Sequence, residues 1–397
     1  MTTQVAAAPR VLFVCVPAAG HVTPTLPLAG AFARASCQVT VASGPDVAAT
    51  VAGAGLAFRQ IGPPMAEWFA ALAARTPGPP GAGLPPDSVE RYFIPRLFGE
   101  VGLSALQQDL DALVGEWAPD LVVFEPHALA APLVAARHAV PAVHHGIGLR
   151  WSPLVADLAG DAVTPAWSAT GLPAPPSAGL DSGTTLAVFP PALDPGPADV
   201  AVQRLRTTAP CEAGAPLPVD LPDPDRPLVY VTLGTSFNEP AVFSTILEAL
   251  AGLPVTVLVT LGRGRSADEL GPVPSDVVVA GFIPQEKVLP HCTAVVHHGG
   301  AGTALGVLAA GLPSVVLPRG ADNFAIADRI AAAGAAAVVG PGSLTVAAVR
   351  DAVRTVLDRP EPRAGAQSIA REIAGMPTPD DVVPLLLDSL PSRKAVR

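Results

Sequence analysis

Short runs of consecutive apolar residues, rich in Val, alternate along the chain with longer Ala- and Leu-rich stretches of helical character. In the first half the runs are Arg10–Val16, Gln38–Ala42, Asp120–Phe124, Val140–His144 and Thr185–Phe189. In the second half they are Leu228–Thr232, Val255–Thr260, Val277–Ala280, Ala294–His297, Ser314–Leu317 and Ala336–Val339. Uninterrupted apolar runs, in place of strict alternation, predict strands covered on both faces. Their alternation with helices predicts parallel βαβ units. The rhythm pauses at Pro210–Pro227, where six prolines stand among few apolar residues, a linker composition. The expectation is therefore α/β, with two doubly wound, Rossmann-like domains facing across a cleft. The first spans residues 1–209, the linker 210–227, the second domain 228–378, and a C-terminal helix and tail 379–397. Ligands of such sheets bind beyond the carboxyl ends of the strands. Two Pro-rich segments, Pro63–Asp87 and Trp151–Gly183, interrupt the pattern and read as long loops, either binding walls or surface insertions.

Composition narrows the class. A chain of 397 residues, 50% hydrophobic, is long enough for two cores. A net charge of −10, with Lys287 and Lys394 as the lysines, argues against nucleic acid or an anionic membrane as partner. The four cysteines form no CxxC pair, so neither a zinc site nor a redox pair is expected, and the cytoplasm is the simplest compartment. The first ten residues lack an apolar signal core, and no apolar run is long enough to span a membrane.

The chemistry concentrates at strand ends. After the Ala294–His297 run come His298, Gly299, Gly300 and Gly302, and Thr303 opens a helix. Glycine allows close backbone approach, and the amides and dipole of a helix start attract anions. His298 and Thr303 can add side-chain donors. A tight turn that needs glycine for steric reasons alone is the competing reading. The same turn also approximates a dinucleotide fingerprint, with Asp322 about 20 residues on. Leu305 stands where the third glycine belongs, and the turn follows the fourth strand of its domain, yet a nicotinamide-dependent dehydrogenase stays open. A second turn, Leu233–Gly234–Thr235–Ser236, either faces the same anion or simply ends its strand. In the first half, Pro17–Pro24 holds His21 between a strand end and a helix that Pro24 can start. A histidine there serves either as a general base or as a capping residue. His144 and His145 end another strand, lining a pocket or merely closing it. Trp68, Phe69, Phe93, Trp151 and Trp167 form either an apolar wall or core. Two Asp-x-Asp matches carry no metal expectation. Asp223–Pro224–Asp225 lies in the linker, and Asp109 and Asp111 point to different sides of a helix. No Gly-x-Ser-x-Gly elbow is present.

Gly281–Phe282–Ile283–Pro284–Gln285, then His298–Gly299–Gly300–Ala301–Gly302–Thr303, then Gly320–Ala321–Asp322–Asn323, together with Gly20–His21 and Pro24, resemble the signature of the UDP-glycosyltransferase superfamily, in particular its bacterial natural-product branch. The resemblance covers nearly the whole chain and implies the two-domain GT-B fold and metal-free inverting transfer. It implies that Phe282, where many members have tryptophan, stacks on the nucleobase, and that Ile283 and Gln285 border the base or ribose. His298, Thr303 and the amides from Gly299 to Gly302 would hold the diphosphate, with Gly234, Thr235 and Ser236 nearby. Asp322 and Asn323 would bond sugar hydroxyls, although many relatives have Gln in place of Asn323. His21 would activate the acceptor, supported by Glu125 where members often have Asp; a cap on the helix after Pro126 is the competing reading of Glu125. Trp68, Phe93, His144, His145 and Trp151 are candidate acceptor contacts. The expected substrates are a TDP- or UDP-sugar, a deoxysugar or hexose, and a small hydrophobic aglycone hydroxyl, with no cofactor and no metal. A homodimer is compatible with the chain. A nucleotide-sugar epimerase on the same fold, and a relative that only binds donor, stay open beside the transferase.

Overall fold

The computed structural model describes residues 8–390 except 77, 79, 82, 86, 87, 182, 197–201, 208–215, 235–238 and 263. The chain divides into two compact units. The first is Met1–Val188 with Gly196–Thr207 and Pro377–Arg397; the second is Phe189–Pro195 with Thr208–Met376.

The first unit holds a wholly parallel sheet of β1 (Arg10–Val14), β2 (Gln38–Ser43), β3 (Ala57–Gln60), β4 (Leu121–Phe124), β5 (Ala142–His145), β6 (Thr184–Ala187) and β7 (Val202–Arg204), in the order β3-β2-β1-β4-β5-β6-β7. Alternate residues of β1 enter different cores. Leu12 and Val14 join one with Trp68, Leu106 and Phe124. Val11 and Phe13 join another with Phe32 and Val41. Both faces are thus dry, which is why the strands read as continuous apolar runs. The helix Pro379–Asp388 returns to this unit, where Val382, Val383 and Leu386 enter the second of these cores. Arg34, on the helix Leu26–Arg34, pairs with Asp380 at 2.9 Å.

The second unit is built the same way from β8 (Leu228–Thr232), β9 (Thr256–Thr260), β10 (Val277–Ala280), β11 (Ala294–His297), β12 (Ser314–Val316) and β13 (Ala336–Val338). Their order is β10-β9-β8-β11-β12-β13, again parallel. Part of the Pro-rich segment packs here: Leu217, Val219 and Leu221 lie against the core containing Leu228 and Val295, and Thr256 Oγ1 donates to the Asp223 carbonyl at 2.9 Å.

Every expected strand forms, and β3 and β7 are additional. Both are short edge strands without a buried run, so no apolar pattern marks them. The two supposed loops contain helices, Met65–Ala73 and Pro153–Ala169. In the second, Val155, Ala159, Val163 and Trp167 recur every four residues and are buried, and this stripe prevails over Pro165. Pro153 sits in the first turn, where its missing N–H costs nothing. Among the described residues no helix is long and apolar enough to cross a membrane.

Candidate functional site

In each sheet the strand order reverses at one point, between β1 and β4 in the first unit and between β8 and β11 in the second. These are the switch points at which such sheets bind ligands. His21 and Glu125 follow β1 and β4 at the first of them, and Gly234 and His298–Thr303 follow β8 and β11 at the second.

In the first unit β1 runs out into Pro17, and a short helical turn, Ala19–Val22, carries His21. The turn passes through Thr23–Thr25, containing Pro24, into the Leu26–Arg34 helix. Glu125 is the first residue beyond β4, and Pro126 keeps it extended. The carboxylate is completely buried. Its Oε1 accepts from the Val16 amide at 3.1 Å. Its Oε2 is bonded to His21 Nδ1 at 3.0 Å, His127 Nδ1 at 3.1 Å and the His127 amide at 3.0 Å. Burial alone would raise the Glu125 carboxyl, but the facing His21 and His127 outweigh it and hold the group well below the usual carboxylate range.

An ionised carboxylate only accepts hydrogen bonds, so both imidazoles must carry their proton on Nδ1. Each ring then offers an Nε2 lone pair. His127 is kept neutral chiefly by burial, which pushes its imidazole down against the pull of Glu125. The side chains of His21 and His127 remain 20% and 16% exposed. Their rings meet edge to face at 4.6 Å, and His127 is also edged by Phe98 at 4.5 Å and Trp151 at 5.2 Å. Phe98 projects from Ile94–Gly102, a segment wound as a π-helix. Such widened turns are frequent at functional sites. His21, Glu125 and His127 are also, among the described residues, the one grouping of His, Cys or acidic side chains close enough to share an ion.

In the second unit, His297 ends β11 and the helix Ala301–Ala309 starts after Gly300. Gly299 has φ +89°, a left-handed value suited to glycine. Its amide donates to His297 Nδ1 at 3.1 Å. The Asn323 amide, with its carbonyl oxygen toward the turn, accepts from the Gly300 amide at 3.2 Å and donates to the Gly320 carbonyl. Two of the amides expected to meet phosphate are therefore occupied. Those of Ala301, Gly302 and Thr303, in the first turn, have no carbonyl ahead of them in the helix. Gln285 Nε2 donates to the Gly302 carbonyl at 3.1 Å, tying the Gln285–Val288 helix to the turn.

The His298 ring lies between the two glycine turns. A Cβ added at Gly234 would come within 2.6 Å of its Cε1, and one at Gly300 would collide with its Nε2. Burial pushes the His298 imidazole down to about 4, so the ring is neutral near pH 7 and can donate a hydrogen bond but supplies no charge. Gly300→Ala must displace this ring. We expect it to weaken nucleoside diphosphate binding about tenfold or more, the cost of overpacking a tight site, while leaving the fold in place. Calorimetric titration of the variant checks this, with its thermal midpoint as control.

The other candidates separate. Trp68, expected as a pocket residue, is core: its ring packs within 2.5 Å of where a Gly102 Cβ would stand. Trp167 is core too, and Phe93 is half-buried against Phe69 and Tyr92. His144 stacks on Phe124 with both ring nitrogens unpartnered among the described residues, and His145 Nδ1 bonds the Gly146 carbonyl at 2.8 Å. Burial pushes these two imidazoles down to about 3 and 4, so both are neutral interior groups. Ile283 is buried in the core beneath β11, whereas Phe282 beside it is 44% exposed. Asp322 is half-buried at the start of the Asn323–Ala332 helix, and Asn323 is 2% exposed. Thr235 and Ser236 lie outside the described residues. Of the Asp-x-Asp residues, Asp109 accepts from the Gly62 amide, Asp111 pairs with Arg137 and His138, and Asp223 pairs with Arg226. Sequence reasoning passed over His127 and Phe98. The one local hint for His127 is that it stands two residues from Glu125.

Comparison with known proteins identifies the family and the fold. Family models described as "Erythromycin biosynthesis protein CIII-like" match residues 94–213 as the N-terminal domain and 244–388 as the C-terminal domain. The L-demethylnoviosyl transferase of Streptomyces niveus is 33% identical, over 93% of this chain and 95% of its own. The elloramycin glycosyltransferase ElmGT of Streptomyces olivaceus is 32% identical, over 94% and 95%. The crystal structure of the glycosyltransferase SsfS6 of Streptomyces sp. SF2575, complexed with thymidine diphosphate, is 28% identical and covers 96% of this chain and 100% of its own at a TM-score of 0.78.

Proposed function

The chain belongs to the erythromycin CIII-like family of antibiotic-pathway glycosyltransferases with the GT-B fold, and on that premise we propose that it transfers a deoxysugar from a TDP-sugar to a hydroxyl of a natural-product aglycone by metal-independent, inverting displacement. The observation that carries this reading is the His21–Glu125 pair at the carboxyl ends of β1 and β4. Glu125 fixes the His21 proton on Nδ1 and leaves Nε2 as the base. His21 takes the proton of the acceptor hydroxyl as its oxygen forms the new bond to the anomeric carbon. The bond from that carbon to the diphosphate breaks in the same step, so the configuration inverts. Glu125 offsets the charge that His21 gains. The departing TDP is met by the first-turn amides of Ala301, Gly302 and Thr303 and by the neutral His298, pre-oriented donors that need no ion. Phe282, 44% exposed just beyond β10, serves as the aromatic surface for the base, and Asp322 as a partner of the sugar. Asn323 serves this site by holding the turn, since its amide is already engaged. Trp151 and Phe98 flank the histidine pair and supply apolar surface for the aglycone.

A thymine donor is favoured because SsfS6 carries thymidine diphosphate. Neither the dehydrogenase nor the epimerase expectation finds support among these relatives, which are named as transferases. Calorimetric titration with TDP, UDP and NAD, followed by turnover assays with and without EDTA, tests the proposal. TDP should bind, NAD should not, and EDTA should leave turnover unchanged. Binding of NAD alone would replace the transferase reading. Turnover abolished by EDTA and restored by zinc or magnesium would place an ion in the mechanism.

A further inference from the structure

Arg319 stands three residues beyond β12, in the loop Pro318–Asp322 that leads to the Asn323–Ala332 helix. Its Nη2 donates to Glu239 Oε2 at 2.9 Å. Glu239 precedes the helix Pro240–Leu250, beyond the carboxyl end of β8. In the sheet, β8 and β12 lie on either side of β11. The ion pair therefore joins the loops that follow the two strands flanking β11, whose own carboxyl end leads into His298 and the glycine turn. The Arg319 side chain is 16% exposed, and its Nε donor is buried with no hydrogen-bond partner among the described residues.

Resting on the TDP-sugar reading, we propose that Arg319 is a cation of the donor site and that its unpartnered Nε, buried in the free protein, is uncovered to bind the diphosphate of the nucleotide sugar. The glycine turn offers neutral amides, and His298 is a neutral imidazole. None of these brings a full positive charge to a leaving group that gains negative charge as the glycosidic bond breaks. A guanidinium does, and its planar fork presents paired N–H groups that match two phosphate oxygens. Nη2 can keep Glu239 while the Nε edge takes the phosphate, so the free protein holds the cation in place without filling its binding edge. The Glu239 carboxylate is 60% accessible, so the pair it makes with Arg319 contributes little. No motif in the sequence singles out Arg319, because the partner that holds it, Glu239, is 80 residues away in the chain.

The test is calorimetric titration of the full-length protein with TDP and, separately, with thymidine, for the wild type, Arg319→Gln and Glu239→Gln. Arg319→Gln should weaken TDP about 10- to 100-fold, the loss of charge-assisted bonds, and leave thymidine affinity unchanged. Glu239→Gln should keep TDP affinity within about threefold of wild type, since it removes only an exposed partner. Equal TDP affinity in Arg319→Gln and wild type would overturn the proposal. So would equal loss in Arg319→Gln and Glu239→Gln, because that is the behaviour of a brace between two loops. A wild-type protein that binds TDP but shows either of these patterns refutes the role of Arg319 alone. A wild-type protein that binds no TDP refutes the donor reading, and this inference with it. Circular dichroism of each variant establishes that it is folded.

Discussion

His21→Ala is expected to lower the turnover number for sugar transfer by about 10²- to 10⁴-fold, the contribution of a positioned general base. Affinity for TDP should stay within about twofold, because the groups assigned to TDP belong to the second unit. The reasoning follows from the tautomer. With Nδ1–H committed to Glu125 at 3.0 Å, the lone pair on Nε2 is the basic atom that this ring can present. Alanine removes it and leaves an acceptor hydroxyl to lose its proton to water. His127 lies 4.6 Å away, ring to ring, and is bonded to the same carboxylate oxygen. It is thus a built-in competitor for the role of base. If His21→Ala retains wild-type turnover while His127→Ala loses it, the base is His127. If both variants retain it, neither histidine takes the proton. A fall in TDP affinity equal to the fall in turnover would also remove His21 from the chemical step.

Glu125→Gln should lower turnover about 10²-fold or more and cost about 1.5–3 kcal/mol of stability, the range for losing hydrogen bonds to a buried charged group. The geometry leaves a carboxamide no good orientation. Three donors converge on Oε2 and the Val16 amide points at Oε1, so either end of a glutamine places its NH2 against an N–H. The substitution also frees His21 to adopt the other tautomer, which would turn its base away from the acceptor. The pH dependence follows from the depressed carboxyl of Glu125. A group whose pKa is lower in the folded than in the unfolded state contributes stability that is fully present above its unfolded pKa and is lost as pH falls through the folded one. The stability gap between wild type and Glu125→Gln should therefore be widest at neutral pH and close progressively below about pH 4.3, the unperturbed Glu value. Chemical denaturation at several pH values measures it. A gap that does not depend on pH would mean that the carboxylate is not held ionised by its neighbours.

Much of this protein was legible in the chain, and for local reasons. A strand buried on both faces must be apolar at every position, so β1, β4, β8 and β11 announce themselves as runs. A turn that bends sharply from a strand into a helix needs glycine, so the residues after β11 stand out. His21 and Glu125 are each recognisable from their place at a strand end, because a side chain just past a buried strand points to where ligands bind. What the chain could not disclose is non-local. His21 and Glu125 are 104 residues apart, and only the sheet order places β1 beside β4 and brings their side chains to one hydrogen bond. The same packing recruits His127 and surrounds it with Phe98 and Trp151. It buries Trp68 against Gly102, although its Pro- and Gly-rich segment reads as a loop. It returns the C-terminal helix to the first unit. At the glycine turn, sequence pointed to the right backbone, but folding decided which amides were already bonded to His297 and Asn323 and which remained. It also paired Arg319 with Glu239, 80 residues away in sequence. Local patterns of polarity and turn chemistry determine elements and strand ends, because those depend on near neighbours. Which donors are occupied, which rings are buried and which charges face one another depend on residues brought together only by the sheet order, and those were decided by the tertiary structure.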